Sequence, residues 1–203
     1  MALLENETST RDAALAAAAK LLAERGASGC AMRDVAEAVG IQQASLYHHF
    51  ADKQALLSEV MLTALEQLTS EVLPIVESDR PPGVVLPAAI AAHVRFEGEH
   101  AEQARVCRAE LRTLDPATAE RVIALRDRYE DLFVAVIDRG AAAGEFEVDD
   151  SRLAVRAFLA MWSGVSIWYR PDGRLSLEQI GLIYGRLALA ALVAEVPPPA
   201  AAD

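Results

Sequence analysis

Six side chains that can form hydrogen bonds lie in one short segment of the chain. They are Gln42, Gln43, Ser45, Tyr47, His48 and His49. A glutamine amide can bond the N6/N7 edge of adenine, whereas Ser, Tyr and protonated His side chains can bond phosphate oxygens. This set of groups has the chemistry of a surface that reads a nucleic-acid groove.

Two short helices are needed to position this segment. The apolar positions of the first helix and its exit are Val35, Val39 and Ile41. Ala36 allows a second helix to approach closely, and Gly40 lies where the first helix must stop and turn. After the turn, Leu46 and Phe50 fall four residues apart, on one face of the second helix, so the six polar residues point mostly outward.

The bare pattern leaves two interpretations open. One is a helix-turn-helix that binds DNA, with Arg33 and Lys53 completing the set of candidate DNA contacts. The other is an ordinary helical hairpin whose polar residues merely face water. Arg11 and Thr10, earlier in the chain, allow the same two interpretations, phosphate contact or simple solvation.

The segment resembles the signature of the TetR/AcrR family of bacterial transcriptional regulators. The matching residues, at fixed spacing, are Val35-Ala36, Gly40-Ile41, Leu46-Tyr47, His49-Phe50, Lys53 and Leu56. The resemblance covers residues 8 to about 70. It implies a homodimer that binds a double-stranded DNA operator through an N-terminal helix-turn-helix domain and an effector through a variable C-terminal domain.

The chain departs from this signature at two helix starts. Members of the family usually carry Thr or Ser just before the second helix and Ser at the start of the third. Cys30-Ala31 and Gln42 stand at these places here. A weaker cap costs on the order of 1 kcal/mol, so we expect the motif to form but its phosphate contacts to shift to neighbouring groups.

Composition predicts an all-α fold. The chain has 203 residues, 53% of them hydrophobic, with many Ala and Leu and few aromatic residues. We predict about nine helices in two domains. These are a three-helix helix-turn-helix domain at residues 8–51 and an effector-binding and dimerisation domain at residues 52–196, with a tail at 197–203.

Periodicity and capping residues place the remaining helices. A mobile start of about eight residues precedes a first helix that runs from about Ser9 and ends near Gly26. Asp52 caps a fourth helix that Pro74 interrupts. The later helices are predicted at about 85–99, 102–111, 116–140, 151–168 and 177–196. The last of these begins with a capping box at Ser176 and Gln179.

The charge balance argues against nucleic acid as a partner. The net charge is −11, and residues 1–60 carry five Lys and Arg against eight carboxylates. A helical interaction module that has lost DNA binding is therefore the alternative function. An enzyme is not expected, because adjacent residues on a helix such as His48 and His49 diverge by about 100° and do not converge on one ion. No cofactor and no metal are expected, and Cys30 and Cys107 belong to no metal-binding motif.

The C-terminal half resembles regulators of fatty-acid or sterol breakdown that sense acyl-CoA thioesters. The resemblance rests chiefly on Trp162 and on the run from Trp168 to Ser176. An acyl chain needs an apolar tunnel, and nucleotide phosphates need arginines at its mouth. The candidate ligand residues are His93, Phe96, Met161, Trp162 and Val165 for the apolar part and Arg105, Arg108, Arg112 and Arg170 for the phosphates. Taken singly, each is also explained as a core or solvated residue.

The final helix is apolar nearly all round, so another surface must cover it. A second copy of the chain, packed through the last two helices, is the simplest cover. The candidate dimer residues are Met161, Trp168, Ile180, Ile183 and Leu187. The chain has no recognisable signal peptide or membrane span, so we expect a cytoplasmic regulator, a repressor or an activator, that a small apolar effector controls.

Overall fold

The computed structural model describes residues 2–193, and for residues 2–9 only the backbone. The helices are α1 Ala2–Gly29, α2 Met32–Val39, α3 Gln43–His49, α4 Lys53–Val76, α5 Pro82–Glu99, α6 Ala101–Ala109, α7 Pro116–Ala142, α8 Ser151–Ser163, α9 Val165–Trp168 and α10 Leu177–Val193. A 3₁₀ turn at Leu111–Thr113 follows α6. No strand occurs in this part of the chain, which confirms the predicted all-α class.

The residues fall into two compact units. Unit 1 contains the chain up to Thr69 together with Glu99–Arg128 and Ser166–Trp168. Unit 2 contains Ser70–Gly98, Tyr129–Val165 and the residues from Tyr169 onward. The predicted domain boundary between residues 51 and 52 lies within unit 1 and stays a prediction, and the predicted tail at 197–203 lies outside the described residues. Within residues 2–193, no helix is both long and apolar enough to cross a membrane.

Unit 1 is built around α1, which packs against α2, α3 and α6. The buried residues of α1 include Ala14, Ala18, Ala19 and Leu22. Alanine at three of these places lets neighbouring helices approach the α1 backbone closely. The predicted apolar face of this helix is therefore confirmed, and the break predicted near Gly26 is present, since Gly26 has φ 69° and ψ 170°.

The turn between α2 and α3 is closed by two hydrogen bonds. Gly40 adopts left-handed φ 75° and ψ 29°, and its N–H donates to the Glu37 carbonyl at 3.1 Å. The Ile41 N–H donates to the Ala36 carbonyl at 3.0 Å. This pair of bonds is a Schellman motif, which satisfies the last carbonyls of α2 and fixes the direction in which α3 begins. The predicted turn at Gly40 is thus confirmed.

Unit 2 contains α5, the second half of α7, α8 and α10. Glycines on α10 allow it to lie directly against α5. A Cβ atom at Gly181 would lie 2.9 Å from the Ala91 Cα, and one at Gly185 would lie 2.9 Å from the Pro87 Cβ. The side chains buried in this unit include Ile90, Phe133, Val155 and Leu192.

Three predicted helix limits were wrong. α1 begins at Ala2 rather than near Ser9, because Ala, Leu and Glu dominate residues 2–7 and nothing there stops a helix. α4 continues through Pro74 to Val76, because a proline in the last turn removes only one backbone bond. The helix predicted at 151–168 is divided at Gly164 into α8 and α9, which accounts for ten helices in the described part where about nine were predicted.

Replacing Gly40 by alanine should lower the free energy of unfolding by about 1 kcal/mol, because a Cβ strains the left-handed conformation. The new Cβ would touch no atom within 4 Å, so backbone strain is the whole effect. Urea titration followed by circular dichroism measures the change. Gly40→Asn is the control, since asparagine tolerates this conformation and should lose less. Equal stability of all three proteins would contradict the assignment of strain.

Candidate nucleic-acid interface and candidate ligand residues

The inward and outward sides of α3 are those that the sequence predicts. Leu46 is fully buried and Phe50, at the end of the helix, is also buried. The exposed residues of this segment are Gln42, Gln43, Ala44, Ser45, Tyr47 and His48, and His49 is half-buried. The amide of Gln43 lies 3.5 Å from the Tyr47 hydroxyl, the outer limit of a hydrogen bond, so both groups remain available to a partner.

The ring of Phe50 contacts the side chain of Arg11 in α1. The Arg11 guanidinium carbon lies 5.5 Å from the centre of the Phe50 ring. The same guanidinium forms an ion pair with Glu59 of α4. Arg11, whose role the sequence left open, therefore links α1 to the end of α3 and to α4 within unit 1.

The start of α2 is capped in the direction opposite to the usual one. Ala31 occupies the N-cap position and has no side-chain acceptor, so the capping bond to a following N–H is absent, as its sequence predicts. Instead, the Asp34 carboxylate reaches back and accepts the Ala31 N–H at 3.0 Å. This is the second half of a capping box, formed without the first. Gln42 likewise makes no side-chain cap at the start of α3.

The two cationic candidates for DNA contact differ in their surroundings. Arg33 is exposed at the start of α2, 3.9 Å from an Asp34 carboxylate oxygen. Lys53 is only half-exposed, and its ammonium donates to the Ala27 carbonyl at 2.8 Å. The structure thus gives Lys53 a position inside unit 1 that the sequence did not predict.

A cavity with a volume of about 490 Å³ lies within unit 1, between α1 and α6. It is lined by Leu22, Ala23, Gly26, Arg105, Val106, Arg108, Ala109, Glu110 and Ile167. Arg108 donates to the Ser166 hydroxyl at 2.9 Å, and Arg105 donates to the carbonyl of Ala101 at 3.1 Å. Two of the predicted phosphate ligands therefore lie at one cavity, with apolar walls around them.

The other two predicted phosphate ligands lie elsewhere. Arg112 is exposed in the 3₁₀ turn of unit 1. Arg170 belongs to unit 2, is exposed, and donates to the carbonyl of Tyr169 at 3.0 Å. The Arg126 guanidinium, which is not among the predicted phosphate ligands, is half-buried in unit 1 and donates to the Cys107 carbonyl. Burial lowers the pKa of Arg126, and the neighbouring Arg108 lowers it further.

An aromatic cluster occupies the interior of unit 2. It contains His93, Tyr129, Phe133, Phe158 and Trp162, with ring centres 5.2 to 6.4 Å apart in the contacting pairs. His93 and Trp162 were predicted ligand residues, whereas the other three rings come from helical positions that only the packing brings together. Phe96 and Val165 are buried in the same unit, and Met161 is half-buried.

His93 is bonded at both ring nitrogens. Its Nδ1 lies 2.7 Å from the Tyr129 hydroxyl, and its Nε2 lies 3.2 Å from the Ser163 hydroxyl and 3.9 Å from a Glu97 carboxylate oxygen. Burial raises the pKa of Tyr129 well above its ordinary value, and the Glu97 and Glu71 carboxylates raise it further. Tyr129 therefore stays protonated and acts as a fixed partner of His93.

The predicted dimer residues divide into exposed and covered ones. Trp168 is 48% exposed and Leu187 is 51% exposed, while Met161 and Ile183 are half-buried. Ile180 needs correction, because at 2% exposure it is already covered by its own protomer and offers almost no surface to another. Leu182 and Val193, at 58% and 60%, are large apolar residues of α10 that face outward but are not among the predicted dimer residues.

Two family models match the chain, and together they span most of it. Residues 14–60 match the bacterial regulatory proteins of the tetR family, and residues 79–192 match the tetracyclin repressor-like C-terminal domain. The second match alone covers more than half of the chain.

The chain belongs to the TetR family.

Similar proteins include several TetR-family regulators. The HTH-type transcriptional repressor KstR2 of Mycobacterium tuberculosis is 31% identical over 191 residues, which are 92% of this chain and 94% of KstR2. The TetR-family regulator PfmR of Thermus thermophilus superimposes with a TM-score of 0.80 at 35% identity, over 87% of this chain and 96% of PfmR. AibR, solved with isovaleryl coenzyme A and operator DNA, superimposes with a TM-score of 0.79 at 26% identity, over 90% of this chain and 97% of AibR.

Membership in the TetR family makes this protein a DNA-binding transcriptional regulator. The match to the tetR-family model at residues 14–60 includes α2, the Gly40 turn and α3. The predicted family and its helix-turn-helix are confirmed. The individual DNA, ligand and dimer residues are not tested by these comparisons and stay predictions.

Two variants of α3 should separate base reading from phosphate binding in this TetR-family protein. Gln43→Ala should weaken operator binding about tenfold but leave binding to random DNA unchanged, since a glutamine contact with adenine is worth about 1–3 kcal/mol. Tyr47→Phe removes only a hydroxyl and should weaken binding to both DNAs alike. Fluorescence anisotropy at two salt concentrations measures the four affinities. Equal losses on both DNAs for Gln43→Ala would exclude it as a base-reading residue.

Tyr129→Phe should lower the free energy of unfolding by about 1–3 kcal/mol, because it removes the buried 2.7 Å hydrogen bond to His93. Tyr184→Phe is the matched control, because Tyr184 is only half-buried and its hydroxyl has no such buried partner to lose. Denaturant titration of both variants gives the comparison. A loss for Tyr129→Phe no larger than that for Tyr184→Phe would show that the bond is not stabilising.

Proposed function

We propose that this protein is a homodimeric repressor that binds a palindromic operator and is released from it by an acyl-CoA thioester. The observation that carries the DNA-binding part is the display of polar side chains on α3. Leu46 and Phe50 anchor the helix below while Gln43, Ser45, Tyr47 and His48 face outward. In a two-fold dimer, two such helices lie about 34 Å apart and enter successive turns of the major groove.

The exposed side of α10 supports the homodimer. Leu182, Leu187 and Val193 are more than half exposed on a helix whose other side is buried in unit 2. Large apolar side chains grouped on one helix favour association with another surface. A second copy of the same helix, related by a two-fold axis, covers them with identical residues.

One similar protein supports a thioester effector, and a second supports a steroid-related one. AibR was solved with isovaleryl coenzyme A, and KstR2 is a ketosteroid transcriptional regulator whose structure superimposes with a TM-score of 0.82 at 29% identity. In this chain, Arg105 and Arg108 at the cavity of unit 1 are the proposed contacts of the phosphates.

The same proposal implies a cytoplasmic protein that performs no catalysis, since its DNA partner lies in the cytoplasm of a bacterium and its ligand acts by binding. An effector that prefers one arrangement of the dimer shifts the population toward it. Ligand and operator then weaken each other's binding reciprocally. Release follows because the two reading helices lose the spacing that the operator requires.

The experiment is an anisotropy titration of the DNA beside the protein's own gene, with isovaleryl coenzyme A, longer acyl-CoA thioesters and a steroid-derived thioester. At least one thioester should weaken binding tenfold or more, whereas free coenzyme A should not. Binding that no thioester weakens would keep the repressor and discard this class of effector. Absence of salt-sensitive, sequence-specific binding would favour an interaction module that has lost DNA binding.

Arg108→Ala should raise the concentration of thioester needed for release about tenfold and leave operator affinity without thioester unchanged. The reason is that a charged hydrogen bond to phosphate is worth about 1.5–3 kcal/mol. Arg121→Ala is the matched control, because Arg121 is exposed on α7 of the same unit and does not line the cavity. Identical release curves for the two variants would remove Arg108 from the effector site.

A further inference from the structure

Five residues of unit 1 are joined by a closed set of hydrogen bonds, which we call the Glu110 ring. Glu110 follows α6 and is buried, with 8% of its surface exposed. One of its carboxylate oxygens accepts the Ala27 N–H at 3.0 Å. The Thr113 hydroxyl lies 3.1 Å from the other carboxylate oxygen and 2.8 Å from the Glu110 carbonyl, so these two acceptors share its single proton. The carboxylate therefore bonds a residue of α1 that is 83 positions away and contacts the turn that directly follows it.

Two residues of α4 close the ring. The Ala27 carbonyl accepts the Lys53 ammonium at 2.8 Å, and the Thr113 carbonyl accepts the Gln54 amide at 2.7 Å. Lys53 and Gln54 are neighbours in the chain, so the four bonds form one circuit. The circuit ties together the end of α1, the start of α4 and the 3₁₀ turn that follows α6.

The Glu110 ring includes residues on both sides of the helix pair α2 and α3 in the chain. Ala27 follows the left-handed break at Gly26 and leads into α2, and Lys53 begins α4 shortly after Phe50, the last anchor of α3. The helix pair α2 and α3 thus enters and leaves through residues that belong to the ring. A shift of the residues in the ring must therefore change the position of α3.

The ring also borders the cavity of unit 1. Gly26 and Glu110 line that cavity together with Arg105 and Arg108. A ligand held there by the two arginines would lie against the carboxylate that binds Ala27. Since like charges repel strongly at partly buried sites, an anionic ligand would disfavour Glu110 in its present position.

We propose that the Glu110 ring is a latch that is closed when the protein binds its operator and is opened by an anionic ligand bound at Arg105 and Arg108. This inference rests on the proposed function, and it adds the residues through which effector binding reaches the DNA-reading helix. The ligand class is a phosphate-bearing anion with an apolar portion, as the arginines and apolar walls of the cavity require.

Three variants test the latch without any ligand. Glu110→Ala removes the carboxylate and its contacts with Ala27 and Thr113. Thr113→Val removes the hydroxyl that contacts both the carboxylate and the Glu110 carbonyl, while keeping the side-chain shape. Both should weaken operator binding about tenfold, which corresponds to about 1.4 kcal/mol. Glu110→Gln keeps an acceptor for the Ala27 N–H and should stay within about twofold of the parent protein. Glu102→Ala is the matched control, because Glu102 is an exposed glutamate at the start of α6, the helix that Glu110 follows.

Hydrogen exchange separates a latch from a residue that merely stabilises the fold. In the parent protein, exchange in the peptide that contains Ala27 should slow when promoter DNA binds, and isovaleryl coenzyme A or another releasing thioester should reverse this. In Glu110→Ala the slowing should be lost, while exchange in α5 of unit 2 remains as in the parent. An equal loss of protection throughout the protein would show a structural role and overturn the latch.

The outcomes distinguish the two proposals. A parent protein that does not bind its promoter DNA would overturn the proposed function and the latch with it. A parent protein that binds and is released, while Glu110→Ala behaves as Glu102→Ala does, would leave the proposed function standing and overturn the latch alone. A tenfold loss in Glu110→Ala, rescued by Glu110→Gln, is the result that supports it.

Discussion

Close packing along the alanine side of α1 is the constraint on which unit 1 depends. Ala14, Ala18 and Ala19 have no exposed surface, and α2, α3 and α6 all pack against this helix. Larger side chains at these positions would force the neighbouring helices apart, because close-packed interiors absorb little extra volume. The helix that reads DNA and the helix that lines the cavity therefore share one support, and this shared contact provides a short physical route between them.

An acidic chain can still present a surface suited to DNA when the helix that faces the groove carries none of the carboxylates. Elsewhere in unit 1, Glu59 pairs with Arg11, Asp34 accepts the Ala31 N–H, and Glu110 accepts the Ala27 N–H. The helix α3 itself contains no carboxylate. The net charge of −11 is thus a property of the whole chain, whereas the field at a groove depends on the charges within a Debye length, about 10 Å at moderate salt.

Features fixed by neighbouring residues could be predicted from the sequence. The turn at Gly40 needed only a residue that accepts positive φ, and the caps at Asp52 and Ser176 needed only an oxygen three residues before an N–H. Partners distant in the chain were not predictable in this way. The contact between Glu110 and Ala27 spans 83 residues, and the burial of Ile180 depends on how α10 lies in unit 2.

The glycines of α10 give that helix one surface that packs inside the protomer and another that faces outward. Gly181 and Gly185 let it lie directly against α5, so the large residues Leu182 and Leu187 are left for another surface. In the proposed homodimer, α10 therefore contributes both to the fold of each protomer and to assembly. Dimer formation is second order in protomer, so operator occupancy rises with the square of the protomer concentration when the protein is scarce. A cell that halves its supply of this regulator would lose about three quarters of the assembled repressor in that regime, which gives a sharper response to its own abundance than a monomeric binder allows.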